Sequence, residues 1–566
     1  MKKTGIVLMV IIMFVSLIPL SSAKGKAEIY EAENGLLQGV NEASTVTGYS
    51  GDGYVTGFDE EGDALTITVD PAKEGLYQIN IRYNAPNGPK QANLFVNDIS
   101  VGTVDFTPTH GFTEMAATKA ILKKGANTIR IDKGWGYYDI DYFSIQKVTK
   151  EPVHSISKTL VNPKASPAAK SLMSYLVDNY GHKILSGQQD YSNIDWLQTH
   201  LGKKPAVVDF DLMDYSPSRV EYGAATTETE KAIDWDQQGG IVAFVWHWNA
   251  PKDLINQPGK EWWRGFYTDS TTFDLQYALS HPDSEEYRLL LRDIDAIATQ
   301  LKKLQDANIP VLFRPLHEAE GEWFWWGAKG ATPCKELYRL LYDRLTNEHQ
   351  LNNLIWVWNS VSPEWYPGDD VVDIVSYDSY PSGGDYNVQV GKYDQLLSLV
   401  KDRKLIAMTE NGAIPDPDLL PIYHADWSWF STWSAHDEKT NSLDHLKKVY
   451  NHDYVVTLDE LPNIKTYPIE NNEIPSAPTG LHAESGNRKA TISWNPVNNA
   501  NRYTLLRADT QEGSYKQVAS NLKATHYTNK GLVNGKTYYY KVKAVNNSGT
   551  STNSSPIRVT VQAKNK

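Results

Sequence analysis

A single cysteine, Cys334, stands among 566 residues. The chain therefore has no intramolecular disulfide and must hold itself together through large apolar cores or bound metal; Cys334 itself reads as structural. Positive charge is also short. Lys and Arg number 55 against 68 Asp and Glu, a formal net charge of -13 with no basic stripe, which excludes phosphate-backbone binding as the main activity and leaves no nucleic-acid partner. Long apolar runs are confined to the N-terminus. MKKTGIVLMVIIMFVSLIPLSSA begins with Lys2 and Lys3, continues apolar and ends in the small residues Ser21, Ser22 and Ala23, the pattern of a secretory signal peptide over residues 1–23. The run is short for a spanning helix and no second one follows. A secreted, extracellular protein with no membrane association after cleavage is expected, its mature chain starting near Lys24.

What the chain has in excess is aromatic side chains: 17 Trp and 33 Tyr, more than ordinary cores need and suited to stacking on sugar rings. Its length calls for three or four units. Over residues 27–148, LTITVD, LYQINIRYN, ANLFVND and NTIRID alternate apolar and polar residues between Gly, Pro and Asn turns, which predicts a β-sandwich. This unit opens on YEAEN, with Glu31 and Glu33, and closes on GWGYYDIDYFSI, with Asp139 and Asp141. End strands that meet side by side can share a hard cation such as calcium, or carry these carboxylates as solvated edge charges.

A Pro- and Ser-containing linker then leads to residues 153–470, where eight apolar runs alternate with helix-length amphipathic segments. The runs are KILSG (183–187), AVVDFD (206–211), GIVAFVWHW (240–248), VLFRPLHE (311–318), LIWVWN (354–359), IVSYDSY (374–380), LIAMTENG (405–412) and WFSTWS (429–434). Eight strands with intervening helices predict a (β/α)8 TIM barrel. The richest stretch is IPVLFRPLHEAEGEWFWWG, in which a short strand is followed by His317, Glu318 and a cluster of aromatics. Glu318 falls at the C-terminal end of the fourth strand and Glu410 at that of the seventh, the end where barrel active sites lie. Two carboxyl groups about 5–5.5 Å apart would cleave a glycosidic bond with retention, one as acid and one as nucleophile. The HEAEG string lacks the second histidine of a zinc H-E-x-x-H motif, position 321 being Gly, and no cofactor for catalysis is expected.

Several neighbours acquire expected roles. Arg314 is a cation able to keep Glu410 ionised, and Tyr377 is placed as a hydrogen-bond donor that orients Glu410. His247, between Trp246 and Trp248, is expected to touch the sugar beside the cleaved bond, and Trp433 to form the floor on which it stacks. Trp323 is a candidate for the cleft wall together with Phe324, Trp325 and Trp326, and Trp262 and Trp263 for a more distant subsite. Glu320 and Glu322 lie in the loop and are assigned to solvent or substrate hydroxyls. Residues 474–563, entered through ENNEIPSAPTG, return to strand patterning around Trp494 and Tyr538 to Val545 and predict an immunoglobulin-like β-sandwich.

Each of the three units resembles a known family. YEAEN, GYSGDGYVTGF and GWGYYDIDYFSI resemble carbohydrate-binding modules of family 35 and its relative family 6. That resemblance implies a structural calcium held by Glu31, Glu33 and Asp141, and a glycan face for which the exposed aromatics Trp135 and Tyr137 are chosen. FRPLHEAEGEWFWWG, supported by VWHW and SYDSYP, is similar to glycoside hydrolase family 26, mostly secreted endo-β-1,4-mannanases. It implies that Glu318 is the general acid/base and Glu410, in MTENG, the nucleophile, with His317 as the family's characteristic residue before the acid/base. The expected partner is a mannan-type plant polysaccharide acted on by a monomer. Mixed-linkage β-glucanases and β-1,3-xylanases of the same family, and a non-catalytic polysaccharide-binding protein, stay open as alternatives. The C-terminal unit resembles a fibronectin type III domain and implies a spacer.

Overall fold

The computed structural model describes residues 27–149, 152–433, 439–469, 475–497, 500–546 and 549–562. The leader expected over residues 1–23 lies outside them. Among the described residues no helix is long and apolar enough to cross a membrane.

The central unit is a closed barrel of eight parallel strands: β1 (Gly187–Gln189), β2 (Val207–Asp211), β3 (Ile241–Trp246), β4 (Val311–Pro315), β5 (Leu354–Asn359), β6 (Ile374–Ser379), β7 (Leu405–Asn411) and β8 (Phe430–Thr432). Strands enclosed on both faces need apolar residues at nearly every position. β3, β4, β5 and β7 accordingly have every residue buried. Helices such as Glu285–Asp306 pack outside, Leu290, Ile294, Ile297, Leu301 and Leu304 forming its buried stripe. Ser284 caps that helix by accepting from the Tyr287 N–H. Cys334 is buried in helix Ala331–Asp343.

The first strand departs from expectation. Ile184–Leu185 of the KILSG run pairs in parallel with Val455–Val456 outside the barrel, and the barrel strand begins at Gly187. The reason is local: a Cβ on Gly187 would lie 2.1 Å from the Phe430 carbonyl oxygen, so glycine lets β1 close against β8. The eighth strand is likewise shorter than its aromatic run, ending at Thr432.

The N-terminal unit is a sandwich of two antiparallel sheets around Leu65, Ile67, Ile79, Ile81, Leu94, Ile129, Ile131 and Phe143. It docks through the strands Ile99–Phe106 and Thr113–Leu122 on the barrel helix Val390–Val400. From residue 152 onward the chain is tied to the barrel: His154 bridges Asp402 at 2.7 Å and Asp426 at 3.0 Å, and the Val161 N–H donates to Asp373. The C-terminal unit packs two sheets over Trp494, Tyr503, Leu505, Tyr540 and Val542.

Candidate active site

Barrel strands alternate their side chains between interior and helix layer, and this parity builds the site. On β4, Arg314 points inward. On β6, Ser376 and Asp378 point inward, while Tyr377 faces the surrounding helices and lies under the Lys392 ammonium, 5.2 Å from its ring centroid. The expected bond from Tyr377 to Glu410 is therefore not made. Tyr380, just past the strand, makes it: its hydroxyl donates to Glu410 Oε2 at 2.6 Å. Tyr380 is exposed, but its hydroxyl reaches the buried Glu410 carboxylate.

Glu410 owes its direction to a bulge. Along the β6–β7 ladder Tyr377 pairs with Met408 and Asp378 with Glu410, which leaves Thr409 as an extra residue. Such an insertion re-aims the side chains around it, and here Thr409 and Glu410 both serve the interior. Thr409 donates to Asp378 at 2.8 Å. Glu410 accepts from Arg314 at 2.6 Å on one oxygen and from Tyr380 on the other. Arg314 also donates to Asp378 at 2.8 Å and lies 3.9 Å from Asp209. Burial opposes the guanidinium's charge, but Asp378, Glu410 and Asp209 outweigh it and hold the proton more firmly than usual. Burial likewise pushes the Asp209 carboxyl up to about 7 against the pull of Arg314.

Glu318 sits on strained backbone. Leu316 and Glu318 are both left-handed, with φ of 54° and 51°, and non-glycine residues held there cost of order 1–3 kcal/mol each. The strain is held by hydrogen bonds from the Glu318 N–H to Asn359 Oδ1 at 2.8 Å and from the Trp326 indole to the His317 carbonyl at 2.9 Å. Burial and the negative charge of Glu410 raise the Glu318 carboxyl above its ordinary range, while Arg314 and the Trp323 indole, which donates to it at 3.0 Å, pull the other way. Gly321 makes that last contact feasible, since a Cβ there would lie 2.0 Å from the Trp323 ring.

The aromatic cluster thus divides. Trp323 is 48% exposed over Glu318, whereas Phe324, Trp325 and Trp326 are buried in the core. Glu320 is not a solvent group: its carboxylate accepts from the Ser360 hydroxyl at 2.7 Å and from the Ser362 and Val361 N–H groups. Glu322 is exposed. Trp433 remains 42% exposed, its ring 6.2 Å from that of His247. Trp262 stacks on Tyr222 at 5.1 Å, and Trp263 is exposed.

His247 and His317 form a chain with Asp211. Asp211 binds His247 Nδ1 at 2.7 Å, and His247 Nε2 meets His317 Nε2 at 3.1 Å. Burial works against a charge on His247, but Asp211 prevails and raises it. Burial and the neighbouring His247 and Arg314 charges drive His317 well down. The opposed shifts favour His247 as the donor and His317 as the acceptor of the bond between them.

Glu318, Asp378 and Glu410 each place a carboxylate oxygen within 4.8 Å of the other two. The profile described as Glycosyl hydrolase family 26 matches residues 161–460, more than half of the chain. The chain belongs to glycosyl hydrolase family 26. Carbohydrate binding module (family 35) matches residues 28–148 and Fibronectin type III domain residues 476–560. A mannan endo-1,4-beta-mannosidase of Thermothelomyces thermophilus is 49% identical over 447 residues, which span 78% of this chain and 92% of that protein. Mannan endo-1,4-beta-mannosidase A of Piromyces sp is 35% identical over 82% of this chain and 76% of its own length. Among solved structures, a Podospora anserina GH26-CBM35 beta-(1,4)-mannanase is 47% identical with a TM-score of 0.58, covering 78% of this chain and 99% of that one. A ruminal GH26 endo-beta-1,4-mannanase is 32% identical with a TM-score of 0.59 and the same coverage.

Several site residues of this family 26 chain were hidden in the sequence. Asp378 and Tyr380 both stand in SYDSYP, but only strand parity shows which side chains face Glu410. Asn359 and Asp211 end strands β5 and β2 without a motif that marks them; position at a C-terminal strand end was the available signal.

On the N-terminal module, Trp135 and Tyr137 are 69% and 63% exposed. Glu31, Glu33 and Asp141 converge on the turn at residues 50–52. Ser50 Oγ donates to Glu31 at 2.7 Å, the Ser50 N–H to Asp141 at 2.8 Å and the Asp52 N–H to Glu33 at 2.8 Å. Asp141 is also paired with Arg82.

Proposed function

We propose that this chain is a secreted, retaining endo-β-1,4-mannanase, active as a monomer, that hydrolyses internal β-1,4-mannosidic bonds of mannan, galactomannan or glucomannan. The observation that carries the reading is the close approach of the Glu318 and Glu410 carboxylate oxygens, within 4.8 Å. This fits a retaining pair, about 5–5.5 Å between carboxyl groups, rather than the about 6.5–9.5 Å that admits a water in inverting enzymes. The substrate is supported by the mannanase relatives, which align over most of this chain.

In this reading Glu318, whose hold on its proton is strengthened by burial and by the charge of Glu410, protonates the glycosidic oxygen as Glu410 attacks the anomeric carbon. Arg314 and Tyr380 each bind one oxygen of Glu410, Arg314 holding it for the attack and Tyr380 stabilising its charge when it leaves. Formation of the glycosyl ester removes the negative charge that raised Glu318, whose pKa falls accordingly. Glu318 then accepts a proton from the water that releases the sugar. His247, with His317 behind it, and Trp433 contact the sugar beside the cleaved bond, and Trp323 lines the cleft wall.

The N-terminal module binds glycan through Trp135 and Tyr137 and holds a structural calcium at Glu31, Glu33 and Asp141. The donor set fits a hard cation. Glu33 Oε2 is buried without a partner, and burial together with the charges of Glu33 and Asp141 raises Glu31 despite its bond from Ser50.

Reducing-sugar release on galactomannan, lichenan and β-1,3-xylan tests the substrate, and NMR of the first-formed anomer tests retention. Release from galactomannan with a β-anomeric product supports the proposal; activity confined to either other polysaccharide refutes the mannanase assignment. Glu318→Ala and Glu410→Ala are each expected to lower kcat by at least about 10²-fold.

A further inference from the structure

Glu318 stands in a segment that folds against its own backbone preferences. Leu316, Glu318 and Glu322 all lie in the left-handed region, at φ of 54°, 51° and 59°, around the short 3-10 turn Ala319–Gly321. Non-glycine residues so close together in that region persist only where their surroundings over-determine them. The turn's own bonds run from the Gly321 N–H to the Glu318 carbonyl at 3.0 Å and from the Glu322 N–H to the Ala319 carbonyl at 3.2 Å. They shape the turn without fixing where it sits. Its position has to come from other elements.

Beyond the turn, Thr268 in the loop after β3 donates its hydroxyl to the Glu322 carbonyl and its N–H to the Trp323 carbonyl, each at 2.8 Å. Nearer Glu318, the contacts converge on the end of β5. The Glu318 N–H reaches Asn359, and the Glu320 carboxylate takes up the residues that follow. Its Oε2 accepts from the Ser360 hydroxyl at 2.7 Å and from the Ser362 N–H at 3.1 Å, and its Oε1 from the Val361 N–H at 3.3 Å. Ser360 is buried and itself accepts from the Ser362 N–H. Asn359 donates in turn to Asp378 at 2.9 Å, and Asp378 is bound to Arg314, which holds Glu410. The strand end that Glu320 grips therefore supports both catalytic carboxylates.

We propose that Glu320 is a positioning residue for the acid/base: its carboxylate locks the turn onto the end of β5 and so fixes the direction in which Glu318, two residues earlier, presents its proton. The inference rests on the reading of Glu318 as the acid/base. Without Glu320 the turn hangs between Asn359 and Thr268 and can pivot about the single hydrogen bond to Asn359. The carboxylate adds a second fixed point and removes that freedom. What the role requires is the acceptor oxygen rather than the charge, because Oε2 takes both the Ser360 and the Ser362 bonds and an amide oxygen in its place accepts them equally.

The test uses the full chain as wild type, Glu320→Ala, Glu320→Gln, Ser360→Ala and Glu318→Ala. Each is assayed for kcat/KM on two β-mannobiosides that differ only in the leaving group: 2,4-dinitrophenyl, which departs with little protonation, and phenyl, whose oxygen needs a proton. Misplacing a catalytic group by about 1 Å costs about 10²-fold, and smaller shifts correspondingly less. Glu320→Ala is expected to lower kcat/KM on the phenyl glycoside by about tenfold or more and on the dinitrophenyl glycoside by less than about threefold. Glu320→Gln, which keeps the acceptor oxygen, is expected to stay within about threefold of wild type on both. A group that served stability alone would not discriminate between leaving groups. Equal losses on the two glycosides, no loss on either, or a Gln variant as impaired as the Ala variant overturn the proposal. Should Glu320→Ala fail to fold, Ser360→Ala decides: a selective loss on the phenyl glycoside supports the proposal, and the wild-type ratio of the two activities overturns it. If Glu318→Ala shows no selective loss on the phenyl glycoside, the acid/base assignment fails instead.

Discussion

Tyr380→Phe removes one oxygen atom, and the step it slows tests the proposal that Glu410 is a covalent nucleophile. The Tyr380 hydroxyl donates to Glu410 Oε2 at 2.6 Å, and Glu410 is buried. A hydrogen bond to an ionised group contributes about 1.5–3 kcal/mol and one between neutral groups about 0.5–1.5. During attack the charge on Glu410 fades, so this bond weakens and its loss does not slow glycosylation. During release of the glycosyl ester the charge returns and the bond strengthens by about 1–1.5 kcal/mol. Its absence slows deglycosylation by about five- to thirteenfold. The glycosyl-enzyme then accumulates, so kcat and KM fall together. Stopped-flow hydrolysis of 2,4-dinitrophenyl β-mannobioside would show a burst approaching one equivalent of phenol. Tyr377→Phe is the control: that side chain faces the helix layer and keeps its ring over Lys392, so the change in kcat is less than about twofold. A steady-state rate without a burst in Tyr380→Phe, or the same burst in Tyr377→Phe, refutes the reasoning.

Further outcomes follow from charge. Glu318 is raised by burial and by Glu410, and in the proposed mechanism it acts as an acid, so activity is expected to fall as pH rises through its raised pKa. Glu410→Gln removes one cause, and NMR titration should find Glu318 at a lower pKa than in the wild type; an unchanged value contradicts the coupling. His154 is raised to about 9, its bonds to Asp402 and Asp426 overcoming the effect of burial. Its stabilisation is thus fully present below the ordinary value of 6.5 and lost as pH rises through about 9, a difference of about 2–3 kcal/mol. Calorimetry should show the barrel melting earlier at pH 9.5 than at pH 6.5, and His154→Ala should lose most of that difference. EDTA should lower the thermal midpoint of the N-terminal module in the wild type but not in Glu33→Gln, and equal shifts in the two would place the ion elsewhere. Trp135→Ala and Tyr137→Ala should each weaken retardation in mannan-containing native gels, and unchanged mobility removes that residue from the glycan face.

Much of the architecture was legible because it depends on short-range patterns. Continuous apolar runs mark doubly covered strands, and period-two alternation marks the flanking sandwiches. Glu318 and Glu410 were legible as a pair at two C-terminal strand ends, each flanked by aromatics, since a single strand-end carboxylate often only pairs with an arginine, as Asp378 does with Arg314. Tyr377 and Tyr380 show where this reading stops. Both are tyrosines in one motif, three residues apart, and the choice depends on which way β6 points and on a bulge opposite it. Glu320 failed for a related reason: its hydroxyl and amide partners belong to the end of β5, some forty residues away in sequence.

The sequence by itself determined the three units, the barrel and the two carboxylates, since each is encoded in local periodicity, turn residues or a strand-end position. Only the tertiary structure decided which tyrosine binds Glu410, which tryptophan covers Glu318 and which groups hold Glu320. Those contacts join residues far apart along the chain, and side-chain parity, a one-residue bulge and the packing of the strand-end loops set them, none of which leaves a local signature.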